Sequence, residues 1–202
     1  MPQRAPTSGT TRVRTALLPD FYIAMGQTAE NVALLTGISR EDQDHWGVRS
    51  QNRAEEAIKS GFFEREIAPV TLPDGSTVST DDGPRAGTTY EKVSQLKPVF
   101  RPNGTVTAGN ACPLNDGAAA VIVMSDAKAK ELGLTPLARI VATGVSGLSP
   151  EVMGLGPIEA TRKALANAGM TIDDIDLVRD QRGVRGAGAA ARRASWAWTT
   201  TS

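Results

Sequence analysis

The sequence predicts an α/β fold, and three observations predict it. Between Ala118 and Val178, short apolar runs alternate with helical patterns in the order strand, helix, strand, helix, strand. Ahead of that alternation, two glycine-stopped helical patterns precede a Pro73-Asp74-Gly75 turn, which reads as a hairpin within an α+β unit. The outermost stretches, 1–16 and 179–202, have neither helical nor strand periodicity.

Taken in order, the first stretch, MPQRAPTSGTTRVRTA, is rich in Thr, Arg and Pro and reads as a disordered head. Its arginines without acids suggest a transit peptide, but Pro2 and Pro6 spoil the required helix. Gln27 to Thr36 reads as a helix stopped by Gly37. Ser39-Arg40-Glu41-Asp42 approximates a capping box and starts a helix running to about Ser60, with Gly61 as its stop. Trp46, Ser50, Ala54, Ala57 and Ile58 share one face of it and are the expected buried stripe. Glu64–Leu72 reads as extended and Ser76–Thr80 as its hairpin partner, and Asp81 to Arg85 as a loop. Tyr90–Leu96 reads as a short helix halted before Pro98.

The stretch Thr105 to Ala120 is a small-residue loop that holds the chain's single cysteine and feeds an apolar run. Ala118–Met124 is too short and too apolar for a surface helix and reads as a buried strand. Ser125 caps a helix through Leu132, stopped by Gly133, and Leu137–Thr143 reads as another strand. Pro150 and Pro157 each sit at a first helical position. The second of these helices groups Ile158, Thr161, Ala164, Leu165 and Ala168 on one face and ends at Gly169; Ile175–Val178 begins a strand.

The net charge of zero conceals a division. The arginine-rich ends leave 14 basic and 21 acidic residues between 17 and 178, a net of −7. An acidic body opposes binding to a polyanion, although Arg182-Gly183 and Arg185-Gly186 leave an Arg-rich nucleic-acid-binding protein as a distant alternative. No apolar run approaches the roughly 20 residues that span a bilayer, so no membrane partner and a cytoplasmic location are expected. One cysteine excludes an internal disulfide.

Several segments together resemble one family. Met25-Gly26-Gln27-Thr28-Ala29-Glu30-Asn31 resembles the MGxTAEN segment of thiolases. Arg85-Ala86-Gly87-Thr88-Thr89 resembles their R-x-G-x-T turn, and Leu96-Lys97-Pro98-Val99-Phe100 their L-[KR]-P-x-F. Gly104 to Asn110 and Leu114 to Ala120 resemble the core TAGN…LNDGAAA signature, and Gly154-Leu155-Gly156-Pro157 the G-x-G-P before the first helix of the second half. The order and spacing are those of the family across Leu17 to Val178.

The resemblance implies a partial layered α/β/α/β/α fold with an α+β coenzyme A loop domain. It divides the chain into a head, 1–16; the loop domain, 17–97; the end of the thiolase N-terminal half, 98–132; the start of the C-terminal half, 133–178; and an Arg/Ala-rich tail, 179–202. It implies thiolase-type acyl transfer of the acetyl-CoA acetyltransferase kind, acyl-CoA plus acetyl-CoA to 3-oxoacyl-CoA plus coenzyme A or the reverse, in fatty-acid or acetoacetyl-CoA metabolism. Coenzyme A and acyl-CoA are then substrates rather than resident cofactors, and the intact family forms homo-oligomers. The chemistry needs a thiolate nucleophile and oriented donors for the oxyanions. The family's nucleophilic cysteine, late histidine and cysteine, and Asn-Glu-Ala-Phe motif do not occur here, so a chain truncated at both ends with no catalytic residue of its own is expected. One coding of Arg179 to Arg185, read one nucleotide later, gives Glu-Ile-Asn-Glu-Ala-Phe, so the tail reads as out of frame.

The candidate coenzyme A contacts carried over from the family are Met25, Arg85, Phe100, Ala108, Cys112 and Leu114. Arg85 suits phosphate recognition, unless Asp81 or Asp82 pairs with it in a solvated loop. Cys112 lacks neighbouring positive charge and histidine; it reads as a weakly polar wall of the pantetheine channel, or equally as a buried loop cysteine. Met25, Phe100, Ala108 and Leu114 match apolar tunnel positions, where core packing is the competing reading. Ala24 and Lys92 depart from residues found in relatives and blur the specificity of the site. His45, flanked by Asp44 and Trp46, reads as a surface or helix-to-helix residue. Asp173, Asp174 and Asp176 read as a solvated turn without a metal, and no phosphate-loop glycine spacing occurs. A non-catalytic coenzyme A-binding fragment is the alternative to the enzyme.

Overall fold

The computed structural model describes residues 21–115 and 117–179. The expected head and nearly all of the tail lie outside the described residues.

Helix α1, Met25–Thr36, ends where Gly37 takes a left-handed φ of 67° and its N–H bonds to the Ala33 carbonyl. It buries Ala29, Val32 and Ala33. Val32 joins Ile38 in one small apolar cluster against Val152 and Leu155 of the 3-10 turn Pro150–Leu155. Asn31 fastens the same junction by donating from Nδ2 to the Glu151 carbonyl at 2.9 Å. Ala29 joins Val106 in a second cluster, covered by Phe100 and Ala111.

Helix α2, Arg40–Lys59, starts with the expected capping box, in which Ser39 and Asp42 satisfy each other's backbone N–H groups. Its buried face is not the expected apolar stripe. Gln43, Asp44 and Gly47 are buried, Ser50 and Ile58 are exposed, and Trp46, Ala54 and Ala57 are only half-buried. The helix turns a polar face inward because its neighbours offer carbonyls, amides and a guanidinium-bridged helix end rather than apolar surface. Helix α3, Tyr90–Ser94, packs across it, with the His45 and Tyr90 rings stacked at 4.2 Å between centroids. His45 is therefore the helix-to-helix residue that the sequence suggests.

Gly61 ends the helical run at φ 72°, ahead of the 3-10 turn Phe62–Arg65, which replaces the first part of the extended segment expected over Glu64–Leu72. The hairpin is present as a short antiparallel ribbon, β1 Val70–Thr71 and β2 Thr77–Val78, with Val70 opposite Val78. Asp74 shapes its turn by accepting from the Ser76 N–H and Oγ at 2.9 and 2.6 Å.

Helix α4, Asp126–Glu131, has Ser125 as its cap and Gly133 at φ 67° beyond its end. Helix α5, Gly156–Ala168, begins with Pro157 in its first turn and ends at Gly169, φ 66°. Of its expected face, Ile158, Ala164, Leu165 and Ala168 are half-buried and Thr161 is exposed. The chain at Thr143–Val145 lies along α5, where Asn167 Nδ2 and Lys163 Nζ donate to the Thr143 and Val145 carbonyls at 3.0 and 3.1 Å. A Cβ on Gly144 would stand 2.1 Å from the Ala160 carbonyl oxygen, so only glycine permits this approach.

The strands expected over Ala118–Met124, Leu137–Thr143 and Ile175–Val178 do not form among the described residues. Val121 and Ile122 are 85% and 88% exposed, which corrects the expectation of a buried strand there. An apolar run becomes a strand only when a second strand satisfies its backbone donors and acceptors. The only sheet among the described residues is the β1–β2 ribbon.

Candidate functional site

The loop from Thr105 to Cys112 is held from below by two helices. From α1, Glu30 is almost wholly buried, and its carboxylate accepts from the Thr105 and Val106 N–H groups at 2.9 Å and from Thr105 Oγ1 at 3.1 Å. Two backbone amides thus find in one side chain the acceptors that a ladder would otherwise supply. A Cβ on Gly104 would stand 2.2 Å from Glu30 Oε1, so glycine there lets the carboxylate seat against the chain.

From α2, Asp44 Oδ1 accepts from Asn110 Nδ2 at 2.9 Å, and the same amide nitrogen donates to the Thr105 carbonyl at 2.9 Å. Asn110 Oδ1 accepts from the Thr107 N–H at 2.8 Å, and Thr107 Oγ1 accepts from the Gly109 N–H at 3.2 Å. Thr107, Asn110 and Asp44 are fully buried. The loop is a polar knot closed on itself and tied to α2. Contact is close: a Cβ on Gly47 would lie 2.6 Å from the Gly109 carbonyl oxygen, and one on Gly109 would lie 2.7 Å from Val93.

Arg40 extends the knot to α3. Its Nε donates to Asp44 Oδ2 at 2.6 Å, while Nη2 donates to the Val93 and Leu96 carbonyls at 3.1 and 2.9 Å. A planar guanidinium can serve a carboxylate and a helix C-terminus at once. On the α1 side, Arg101 bonds Gln27 Oε1 at 2.8 Å and Asn31 Oδ1 at 2.6 Å, and Gln27 returns a bond to the Phe100 carbonyl.

The turn at Arg85–Thr88 hangs on the far part of α2. The Arg85 N–H donates to Gln51 Oε1 and the Gly87 N–H to Glu55 Oε2, both at 2.9 Å. Gly87 has φ 66°, and its carbonyl accepts from Lys92 Nζ at 3.1 Å. The Lys59 ammonium, and after it the Gly87 N–H, hold the Glu55 carboxyl below the ordinary glutamate pKa.

The six candidate contacts fall as follows. Ala108 and Cys112 are exposed on the outer side of the anchored loop, and the Cys112 thiol is free. The reading of Cys112 as a buried loop cysteine is corrected by that exposure. Leu114 is fully exposed. Phe100 is half-buried, its ring against Gly26, where a Cβ would lie 2.1 Å from it; Met25 precedes that glycine and is 47% exposed. These exposures count against plain core packing at every apolar candidate except Phe100. Arg85 is exposed and makes no ion pair among the described residues; Asp81 instead accepts from the Gly83 N–H at 2.8 Å. Loop and turn share α2 as their support.

Sequence reasoning found the loop and missed what holds it: Glu30, Arg40, Asp44, Gln51, Glu55 and Arg101. Only the Arg40–Asp44 pair, four residues apart on a helix, carried a readable signal. No cluster of metal-ligating side chains occurs among the described residues, and Asp174 caps its own turn by accepting from the Thr171 N–H and Oγ1. No helix among the described residues is long and apolar enough to cross a membrane.

Residues 7–127 match the thiolase N-terminal domain family and residues 134–183 the thiolase C-terminal domain family. The chain is 54% identical over 158 residues to the acetyl-CoA acetyltransferase of Cupriavidus necator, covering 76% of this chain and 40% of that protein. It is 51% identical over 177 residues to the one of Syntrophomonas wolfei, covering 86% and 44%. Among solved structures, the Bacillus anthracis acetyl-CoA acetyltransferase aligns with a TM-score of 0.80 at 43% identity, over 89% of this chain and 46% of that one. Human mitochondrial 3-ketoacyl-CoA thiolase in complex with CoA aligns with a TM-score of 0.78 at 42% identity, over 85% and 43%. The chain thus spans less than half the length of each of these relatives.

Proposed function

This chain belongs to the thiolase family, and from that premise we propose that it provides the coenzyme A-holding part of a thiolase-type acyltransferase. The reaction is acyl-CoA plus acetyl-CoA to 3-oxoacyl-CoA plus coenzyme A, or its reverse, in cytoplasmic fatty-acid or acetoacetyl-CoA metabolism. The observation that supports this most is the Thr105–Cys112 loop. Its polar groups are satisfied inward by Glu30, Asp44 and Asn110, while Ala108 and Cys112 stay exposed. A loop with a small, weakly polar outer surface suits the pantetheine arm, and the exposed Arg85, which makes no ion pair among the described residues, suits the phosphates of coenzyme A. The family's layered arrangement would cover Val121 and Ile122, now exposed, with further strands.

In this reading Met25, Phe100, Ala108, Cys112 and Leu114 line the pantetheine side and Arg85 the nucleotide side. None of the described residues is assigned as nucleophile, base or acid. Cys112 is flanked in sequence by Ala111, Pro113 and Leu114, with no basic residue or histidine beside it, so it is assigned to the wall of the channel. Titration calorimetry with coenzyme A tests the reading. Binding that weakens about tenfold in Arg85→Ala, the loss of one charge-assisted contact, supports it. Absence of heat at millimolar coenzyme A overturns it. An acetoacetyl-CoA cleavage assay of this chain should show no turnover above Cys112→Ala; turnover that Cys112→Ala abolishes would make Cys112 the nucleophile.

A further inference from the structure

Four residues of α2 that face the putting-together of loop and turn lie on one stripe: Asp44, Gly47, Gln51 and Glu55, at spacings of three and four. Asp44 binds the loop through Asn110, and Gly47 lets the Gly109 carbonyl come close. Gln51 and Glu55 bind the backbone of Arg85 and Gly87. At about 1.5 Å per residue, the turn's two anchors stand roughly 10 and 16 Å along the helix from Asp44. A single straight element therefore fixes the distance between a segment presenting a small, weakly polar surface and one presenting a guanidinium. An elongated ligand with a slender, weakly polar arm at one end and phosphates beyond it meets both only if that distance is right.

We propose that α2 acts as a ruler for coenzyme A, with Gln51 and Glu55 as positioning residues that pin the Arg85–Thr88 turn at the nucleotide end. The inference rests on the coenzyme A reading above. Arg85 is exposed, and its side chain has no partner among the described residues that would hold it. Its placement depends on its own backbone, which Gln51 holds at Arg85 and Glu55 at Gly87. Lys92 steadies the same turn from the other side through the Gly87 carbonyl. With the two anchors removed, the turn must be ordered at the moment of binding, and affinity falls by that ordering cost.

The test is calorimetry on the full chain with two probes, coenzyme A and pantetheine, which lacks the nucleotide. In the Q51A/E55A variant, coenzyme A affinity should fall about tenfold while pantetheine affinity is unchanged. E55Q keeps an acceptor for the Gly87 N–H and should stay within about twofold of the parent. In an Arg85→Ala background, the Q51A/E55A change should cost little more, because it acts through the arginine already removed. Equal loss for both probes, or full additivity with Arg85→Ala, would reduce the two residues to a general structural role and overturn the inference. So would unchanged coenzyme A binding by Q51A/E55A; in that case the coenzyme A reading survives on the parent's binding. Failure of the parent to bind coenzyme A removes both. Q51A alone, with Glu55 still in place, carries the same comparison if the double variant does not fold.

Discussion

Glu30→Ala is the sharpest test of how the candidate loop is held. The Glu30 carboxylate takes the Thr105 N–H, the Val106 N–H and Thr105 Oγ1, and Val106 is fully buried. Alanine leaves two backbone donors without a protein acceptor, at about 1–3 kcal/mol each. Two effects reduce the total. Removing a buried carboxylate relieves its own desolvation, and the vacated space admits a water that can accept from one donor. We expect a net loss of about 3 kcal/mol, a large share of the roughly 5–15 kcal/mol that a domain has in reserve. With a urea slope of about 2 kcal/mol per molar, the unfolding midpoint followed by far-UV circular dichroism should fall by about 1.5 M. Glu30→Gln keeps one acceptor oxygen but turns an amide donor towards the loop's donors, so its midpoint should lie between the two. Glu56→Ala, at an exposed site on α2, should move stability by no more than about 0.5 kcal/mol. A Glu30→Ala midpoint indistinguishable from that of Glu56→Ala would refute the claim that this carboxylate organises the loop.

Gly47→Ala places a Cβ 2.6 Å from the Gly109 carbonyl oxygen, and backbone cannot swing aside as a side chain can. A loss of about 1–3 kcal/mol, read as a lowered thermal midpoint, is expected despite alanine's better helix propensity. Arg40→Lys keeps a charge for Asp44 but cannot fork to the Val93 and Leu96 carbonyls. It should cost about 1–2 kcal/mol in the same assay, and a neutral result would mean that the helix end is satisfied otherwise. The Asp74 carboxyl is held below its ordinary pKa by the Ser76 hydroxyl and then the Ser76 N–H. A carboxyl lowered on folding stabilises above its unfolded pKa, near 3.9, and loses that effect as pH falls through the lowered value. The Ser76 amide resonance should therefore follow a titration whose midpoint lies below the ordinary aspartate pKa. A midpoint at or above the ordinary aspartate pKa would contradict the hydrogen-bonded turn.

What the sequence disclosed and what it hid divide along one physical line. Signals that act within a few residues were legible. The Ser39–Asp42 capping box is present, Ser125 caps α4, and Gly37, Gly61, Gly133 and Gly169 all take the left-handed backbone that stops a helix. The Asp74 turn and its ribbon were legible for the same reason. The runs Ala118–Met124 and Leu137–Thr143 were misjudged because β propensity describes fitness for a pleated surface, and no such surface stands beside them among the described residues. The buried face of α2 was misjudged because periodicity weighs only apolar residues. Trp46, Ala54 and Ala57 formed a plausible stripe, while the true inward face holds Gln43, Asp44 and Gly47. At the site, the loop announced itself through its small residues, but Glu30 and Asp44 lie far from it in sequence and showed no sign of their partners in the loop.

That inward polar face also explains how so little apolar packing can define the loop. Among the described residues, the buried apolar side chains are few and mostly small: Ala29, Val32, Ala33, Ile38, Val93, Val106 and Ala129. Beside them are buried Thr28, Glu30, Gln43, Asp44, Thr107 and Asn110. Apolar contacts are non-directional and tolerate sliding, whereas a buried amide or carboxylate must meet its partners in one geometry or go unsatisfied. Asn110 illustrates the constraint. Its two donor bonds and one acceptor bond reach Asp44, Thr105 and Thr107 at once, so rotation of the loop about any of them breaks the others. The loop's shape is therefore specified by hydrogen bonding. That frees Ala108 and Cys112 from any duty in the core, and both are exposed.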